Sequence, residues 1–428
     1  MNISTEVKKV KLMSVLDVSF DVGKDKLNCL FEYEKEDTVQ IFQDEFRNTN
    51  KTIKEKLEEI QKMSLNMGYK HLRIICEPTG GYQEKLLRMA RSLGMMTNYV
   101  NTEAVAKFRI VESNDTGKTD IKDPKIISTL AKLNKVLTHR VYSAEYEVLR
   151  KLNSLYESEE KKFVRQKCHL HKAIKNLFCD FSFKKDFLYG TTGRALMKTY
   201  KLNPYEMVKR GKQYFIDRMK RNVSNVRVST LNRLWSDAKS SVLCEVPDEV
   251  LDAMLMEMDI HWQTFLIYEQ NRDKIKSKML KVLLSLRKEN HKIPKAVKGL
   301  VTDFHIARII AETGPLDDFN SHKQLLRYAG LNIRQYESCQ MKGGDHICKK
   351  GRSLLRKTLS QVILATTKRD RFYGPYYHEK KSTGVKGNKI MVNLMRKFLK
   401  TFFGWYRSGS EFNPERVFRC ESQIKQAA

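Results

Sequence analysis

His71-Leu72-Arg73-Ile74-Ile75-Cys76 runs directly into Glu77-Pro78-Thr79-Gly80-Gly81-Tyr82, and this passage decides how the first third of the chain is read. A short, mostly apolar run bounded by turn formers predicts a buried strand. It ends at an acid, then breaks at proline and glycine. Open α/β sheets bind their ligands beyond the carboxyl ends of the strands, so Glu77 stands where such folds put their sites.

Upstream, Val10 to Leu16 is almost wholly apolar and leads into Asp17-Val18-Ser19-Phe20-Asp21-Val22-Gly23-Lys24. The run predicts a strand over 10–16, closed by Asp17. Two more strands are expected at Leu27 to Tyr33 and Thr38 to Phe46, then a helix at Asn50 to Met63. Downstream come a helix at Gln83 to Leu93, a strand at Thr97 to Val100, and Gly117-Lys118-Thr119-Asp120-Ile121-Lys122-Asp123, which opens an apolar-periodic run through Ile126, Ile127, Leu130 and Leu133. Asp120 and Asp123 share one face of a helix's first turn. Two like charges about 4 Å apart repel by roughly 4 kcal/mol at an effective dielectric near 20, and a divalent cation relieves that repulsion. Each acid alone has an ordinary role open to it, as a turn or first-turn residue. Together, an Asp at the end of strand one, Glu77, Asp120 and Asp123 converge in an RNase H-like sheet. Two-metal phosphodiester chemistry needs about that many oxygens.

Composition narrows the class. The 428 residues suffice for two or three domains. An excess of 80 Lys+Arg over 50 Asp+Glu gives a net charge of +30, which points to a polyanion partner. No apolar run reaches the roughly 18 residues of a membrane-spanning helix, and Met1 to Lys11 lacks the apolar core of a signal peptide, so a cytoplasmic protein is expected. The eight cysteines include no Cys-x-x-Cys pair, which argues against a disulfide framework or zinc ribbon. Cys168, His169, His171 and Cys179 match no standard zinc spacing.

From Glu145 to Phe178 apolar residues follow an a/d spacing through Leu149, Leu152, Tyr156, Phe163, Leu170, Ala173 and Leu177, broken at Glu159 and Gln166. One long helix is expected, in coiled-coil-like pairing within the chain or between protomers. Phe181 to Ser241 is basic and aromatic-rich, and a second long helix is expected from Asp248 to about Lys288. After Ile293-Pro294, short helices alternate with Gly and Pro, including one at Ser321 to Tyr328. Then comes Tyr336-Glu337-Ser338-Cys339-Gln340-Met341-Lys342-Gly343-Gly344-Asp345-His346, followed by Lys349-Lys350-Gly351-Arg352 and a helix from Leu354 to Thr366. Ser338 reads either as a polar loop residue or as a nucleophile facing a phosphate, with the neighbouring cations stabilising developing charge. Arg369 to Lys400 interleaves basic residues with Phe372, Tyr373, Tyr376 and Tyr377, as a nucleic-acid surface would.

These pieces resemble, in order, the DEDD transposases of insertion sequences, whose N-terminal domain is similar to the RuvC Holliday-junction resolvase and which are described as bridge-RNA-guided serine recombinases. The matching residues are Asp17 or Asp21 with Gly23-Lys24-Asp25-Lys26-Leu27, Glu77 to Tyr82, Lys118-Thr119-Asp120 with Asp123, and the late block Phe319, Gly330-Leu331, Ser338, Lys350-Gly351 and Leu355-Arg356. The resemblance implies a RuvC-type α/β catalytic domain over 1–143, a helical, coiled-coil-like linker over 144–290, and an all-α C-terminal transposase domain over 291–428. It further implies that Asp17 (or Asp21), Glu77, Asp120 and Asp123 bind Mg²⁺, that Ser338 joins DNA covalently, and that the two centres form one composite site. Lys118, Lys342, Lys349, Lys350, Arg352 and Arg356 are expected to contact nucleic acid. The implied partners are double-stranded DNA, a structured guide RNA and further copies of the chain as a dimer or tetramer. A junction endonuclease acting by hydrolysis and a non-catalytic nucleic-acid-binding protein are the other readings open to the residues.

Overall fold

Alternation of period two fixes the first strand. β1 spans Val15–Val22, with Leu16, Val18, Phe20 and Val22 buried. Most of the strand expected over 10–16 lies outside the described residues, but its expected close at Asp17 is corrected: β1 continues to Val22, and Asp21 stands next to its end. The computed structural model describes residues 15–35, 38–78, 80–113, 122–334, 337–338, 341–342 and 346–414. It falls into two units, Met1–Val141 and Tyr142–Ala428.

In the first unit, β2 (Lys26–Lys35) and β3 (Thr38–Arg47) extend β1 as an antiparallel meander. After α1 (Asn50–Asn66) comes β4 (His71–Cys76), parallel to β1; after α2 (Glu84–Ser92) comes β5 (Met96–Val100), parallel to β4. Helices α3 (Thr102–Ser113) and α4 (Lys122–Lys132) precede β6 (Val136–Thr138), an antiparallel edge. The sheet order is β3-β2-β1-β4-β5-β6. The sequence of β4 explains why helices cover both faces. Leu72, Ile74 and Cys76 join the core built with α1 and α2, whereas Ile75 packs with Val105, Ile126, Ile127 and Leu130 of α3 and α4. By the same alternation Asp17, Ser19 and Asp21 share the α4 face of β1.

The second unit is organised around two long helices, α5 (Ala144–Leu177) and α10 (Asp248–Glu289). Between them lie α6 (Thr191–Tyr200), α7 (Pro204–Val208), α8 (Lys212–Asn222) and α9 (Val228–Ser241). Phe163 and Leu170 of α5 share a core with Met258 and Phe265 of α10 and the four intervening helices. Tyr146 and Leu149 share a second core with Met279 and Leu283, so the two helices run antiparallel. Gln166 and Glu159, which interrupt the apolar seam, are satisfied across it. The Gln166 amide donates to the His261 carbonyl at 2.8 Å, and Asn271 donates to Glu159 at 3.2 Å.

The second core also takes in α11 (Asp303–Thr313), α12 (His322–Tyr328), α13 (Ser353–Thr366), α14 (Gly374–Ser382) and α15 (Gly387–Ser408). This part is α-rich rather than purely helical. Between α12 and α13, β7 (Ile333–Arg334) pairs with β10 (His346–Ile347), and β8 (Glu337–Ser338) pairs with β9 (Met341–Lys342).

Candidate active site

Parallel register sets Asp17 opposite Arg73 and Phe20 opposite Cys76; its continuation brings Asp21 beside Glu77. Asp17 is gripped by Arg73, Nε to Oδ1 at 2.7 Å and Nη2 to Oδ2 at 2.5 Å. Four residue steps along the strand separate it from Asp21, roughly 13 Å. Asp123, in the first turn of α4, is buried, and both its oxygens accept from Arg109 of α3, at 2.8 and 2.7 Å. Burial pushes the Glu77 carboxyl above the usual range, and the negative charges of Asp123 and Asp21 push the same way. A hydrogen bond with Thr102 and the charge of Arg109 oppose them. Asp21, Glu77, Asp123 and Arg109 thus form one electrostatic group at the carboxyl ends of β1 and β4, and Asp17 stands apart from it.

The acids are oxygen donors, which suit a hard divalent cation better than a soft metal, although both oxygens of Asp123 accept from Arg109. Among the described residues no three His, Cys, Asp or Glu side chains come close enough to hold an ion between them. Asp120 and Lys118 lie outside the described residues. Thr102 and Arg109 escaped the sequence reading because α3 was not expected. Their spacing of seven, which puts both on one helix face after an Asn101 cap, is the signal that could have found them.

Ser338 lies in an arm formed by the two short strand pairs between α12 and α13. Its backbone pairs with Met341, and the two residues between them lie outside the described residues. The arm is rooted by close backbone packing, in which the Lys349 N–H donates to the Gly330 carbonyl at 2.9 Å and the Arg352 N–H to the Tyr328 carbonyl at 3.1 Å. A Cβ on Gly351 would stand 2.4 Å from the Tyr328 oxygen, so only glycine lets the two segments cross. Of the cations expected to meet nucleic acid, Arg352 donates to Glu312 of α11 at 3.0 Å and Arg356 to the Ala329 carbonyl at 2.9 Å. Both brace the root. Lys349 and Lys350 are exposed, and only the backbone of Lys342 is described. Behind the root, buried Arg308 joins three helices, donating to Asn153 at 3.0 Å, Glu157 at 3.1 Å and Gln361 at 2.6 Å. Arg150 donates to the Ala311 and Glu312 carbonyls that end α11.

A sheet of this order, with acids at the ends of its parallel strands, defines an RNase H-like domain of RuvC type, here followed by an α-rich region. Two family models match the chain. A DEDD transposase model of the IS110 type covers residues 18–179, and one described as transposase, IS116/IS110/IS902 family, covers residues 301–378. Between them they take in more than half of the chain, which belongs to the IS110-type DEDD transposases, enzymes of DNA transposition and recombination. The first match begins at Val18 and so includes Asp21 but not Asp17. No curated protein matches. No helix among the described residues is long and apolar enough to cross a membrane.

Proposed function

We propose that this transposase cuts and rejoins DNA through a covalent serine intermediate, with Asp21, Glu77, Asp120 and Asp123 as its metal-binding acids and Ser338 as its nucleophile. The observation that carries the reading is Glu77, whose carboxyl is pressed upward by burial and by Asp123 and Asp21 despite the nearby guanidinium of Arg109. Carboxylates that raise one another in this way are relieved by a bound cation. Mg²⁺ bound there supplies Lewis-acid stabilisation of the charge that builds on a phosphate's oxygens.

The chain's own groups do the rest. The Ser338 hydroxyl forms an O–P bond as it loses its proton, the bond from phosphorus to one sugar oxygen breaks, and that oxygen leaves as a hydroxyl. Attack by a hydroxyl of another strand reverses these steps and frees the serine, so the phosphodiester energy is conserved and no nucleotide cofactor is consumed. Lys349 and Lys350, exposed at the root of the arm, contact the DNA backbone. We extend the proposal to a structured guide RNA, a homo-oligomer that holds two cut sites together, and a cytoplasmic location. Functionally, 1–143 is catalytic, 144–290 is a helical spacer and 291–428 carries the serine.

A denaturing gel tests this, with purified protein, Mg²⁺, co-purified RNA and labelled DNA spanning the element's ends. A protein-linked DNA band lost in both Ser338→Ala and Asp21→Asn, but kept in Asp17→Asn, is expected. Cleavage that survives Ser338→Ala with no linked band would replace the proposal with a hydrolytic endonuclease.

A further inference from the structure

A cavity of about 720 Å³ opens between α12, α15 and the segment after α15, within the roughly 300–1,000 Å³ of small-ligand sites. One stripe of α15 lines it: Arg396, Lys397, Lys400, Gly404 and Trp405. Phe412 also lines it, its ring packed 5.0 Å from that of Trp405 and tilted by 56°. The Trp405 ring is fixed in place, because its indole N–H donates to the Ser410 carbonyl at 3.0 Å.

Two details point to a ligand with a flat face and a negative charge. Gly404 lies inside a helix, where glycine is weaker than alanine, yet a Cβ built on it meets nothing within 4 Å. Nothing among the described residues requires that glycine, and its missing side chain leaves a flat floor beside Trp405. The second detail is Arg396, whose Nε is buried without an acceptor among the described residues. Lys397, which also lies over the Tyr376 ring, is held below the usual lysine range by burial and by Lys400. An anion in the cavity would face Arg396, Lys397 and Lys400 together. Glu411 at the rim adds an acceptor for ring or amino N–H groups.

We propose that this cavity receives one unpaired nucleotide of a single strand, its base laid over Gly404 against Trp405 and its phosphate met by Arg396, Lys397 and Lys400. Aromatic faces with cations beside them are how proteins take hold of unstacked bases. The proposal rests on the chain being a nucleic-acid enzyme but is independent of the serine intermediate.

The test uses full-length protein and octanucleotides of RNA or DNA, each with one 5-iodouracil, cross-linked by ultraviolet light and mapped to peptides. Binding is measured in parallel against a sugar-phosphate octamer without bases. The expected cross-link falls on Trp405 or Phe412. Gly404→Leu removes it, weakens the intact octamer by about tenfold or more, leaves the baseless octamer unchanged, and melts no lower than wild type. Arg396→Gln weakens both octamers. Cross-linking by RNA alone, DNA alone or both identifies the source of the nucleotide. Cross-links only elsewhere, or a Gly404→Leu protein that binds both octamers as wild type does, overturns the site. Ser338→Ala separates the two proposals: a lost DNA adduct with the cross-link intact is expected. A missing cross-link in a protein that still forms the adduct sinks the cavity proposal alone.

Discussion

In the proposed site, function and stability pull in opposite directions at Glu77. Its carboxyl binds a proton more tightly in the fold than in the unfolded chain, so stability is highest below that raised range and falls as pH rises through it. Glu77→Gln is therefore expected to abolish the DNA adduct while raising the melting temperature at pH 7 without metal, by about 2 °C. Millimolar Mg²⁺ should raise wild type and not the variant, as read by thermal shift. Arg109 has the reverse character. Removing it strands the buried Asp123 carboxylate, and Arg109→Ala should cost roughly 3 kcal/mol in denaturant unfolding, part of which Mg²⁺ restores. His139 gives a separate handle on the same unit. Burial and Arg91 hold its imidazole at about 4, and its Nδ1 lies 3.0 Å from the Thr97 hydroxyl. Between about pH 4 and 6.5 the unfolded chain binds more protons, so stability is lost as pH falls through that window. His139→Gln should flatten that loss in melting curves taken across the window.

Among elements, those with an unbroken period were legible. The strand before Glu77, the helix at 50–66 and the two long helices each declare themselves by apolar spacing, and so did Asp123 in a helix's first turn. At the start of the chain the apolar run made Asp17 look like the close of the strand, whereas β1 runs on to Val22 with the alternation Leu16, Val18, Phe20, Val22 buried. The sequence left Asp17 and Asp21 both open as the first acid, and the continuation of β1 is why the proposal takes Asp21. Arg109 and Thr102 were illegible for another reason: what they do depends on α3 lying across the sheet, and α3 carries little apolar asymmetry of its own. Arg308 was equally hidden, since arginine in a mostly apolar helix reads as an exposed residue. Its partners instead come from α5 and α13. Arg308→Met should destabilise by roughly 3 kcal/mol. Adding Glu157→Gln should cost less than the sum of the single changes, a coupling that a double-mutant cycle in urea measures.

For the whole molecule, the net charge of +30 means that DNA affinity is governed by released counterions. Affinity measured over a salt series should fall steeply on a log–log plot. Lys349→Gln and Lys350→Gln should each reduce the slope by about one without altering sequence preference. The antiparallel pair of α5 and α10 has a consequence of a different kind. Gln166 reaches His261, 95 positions away along the chain, and the seam on either side keeps its phase only while both helices keep their length. One inserted residue turns everything beyond it by about 100° and shifts it by about 1.5 Å. Length can therefore change here only in steps of about two turns, made in both helices at once. Insertions and deletions in descendants of this gene should arrive as matched pairs, and a lone one should mark a copy that no longer folds.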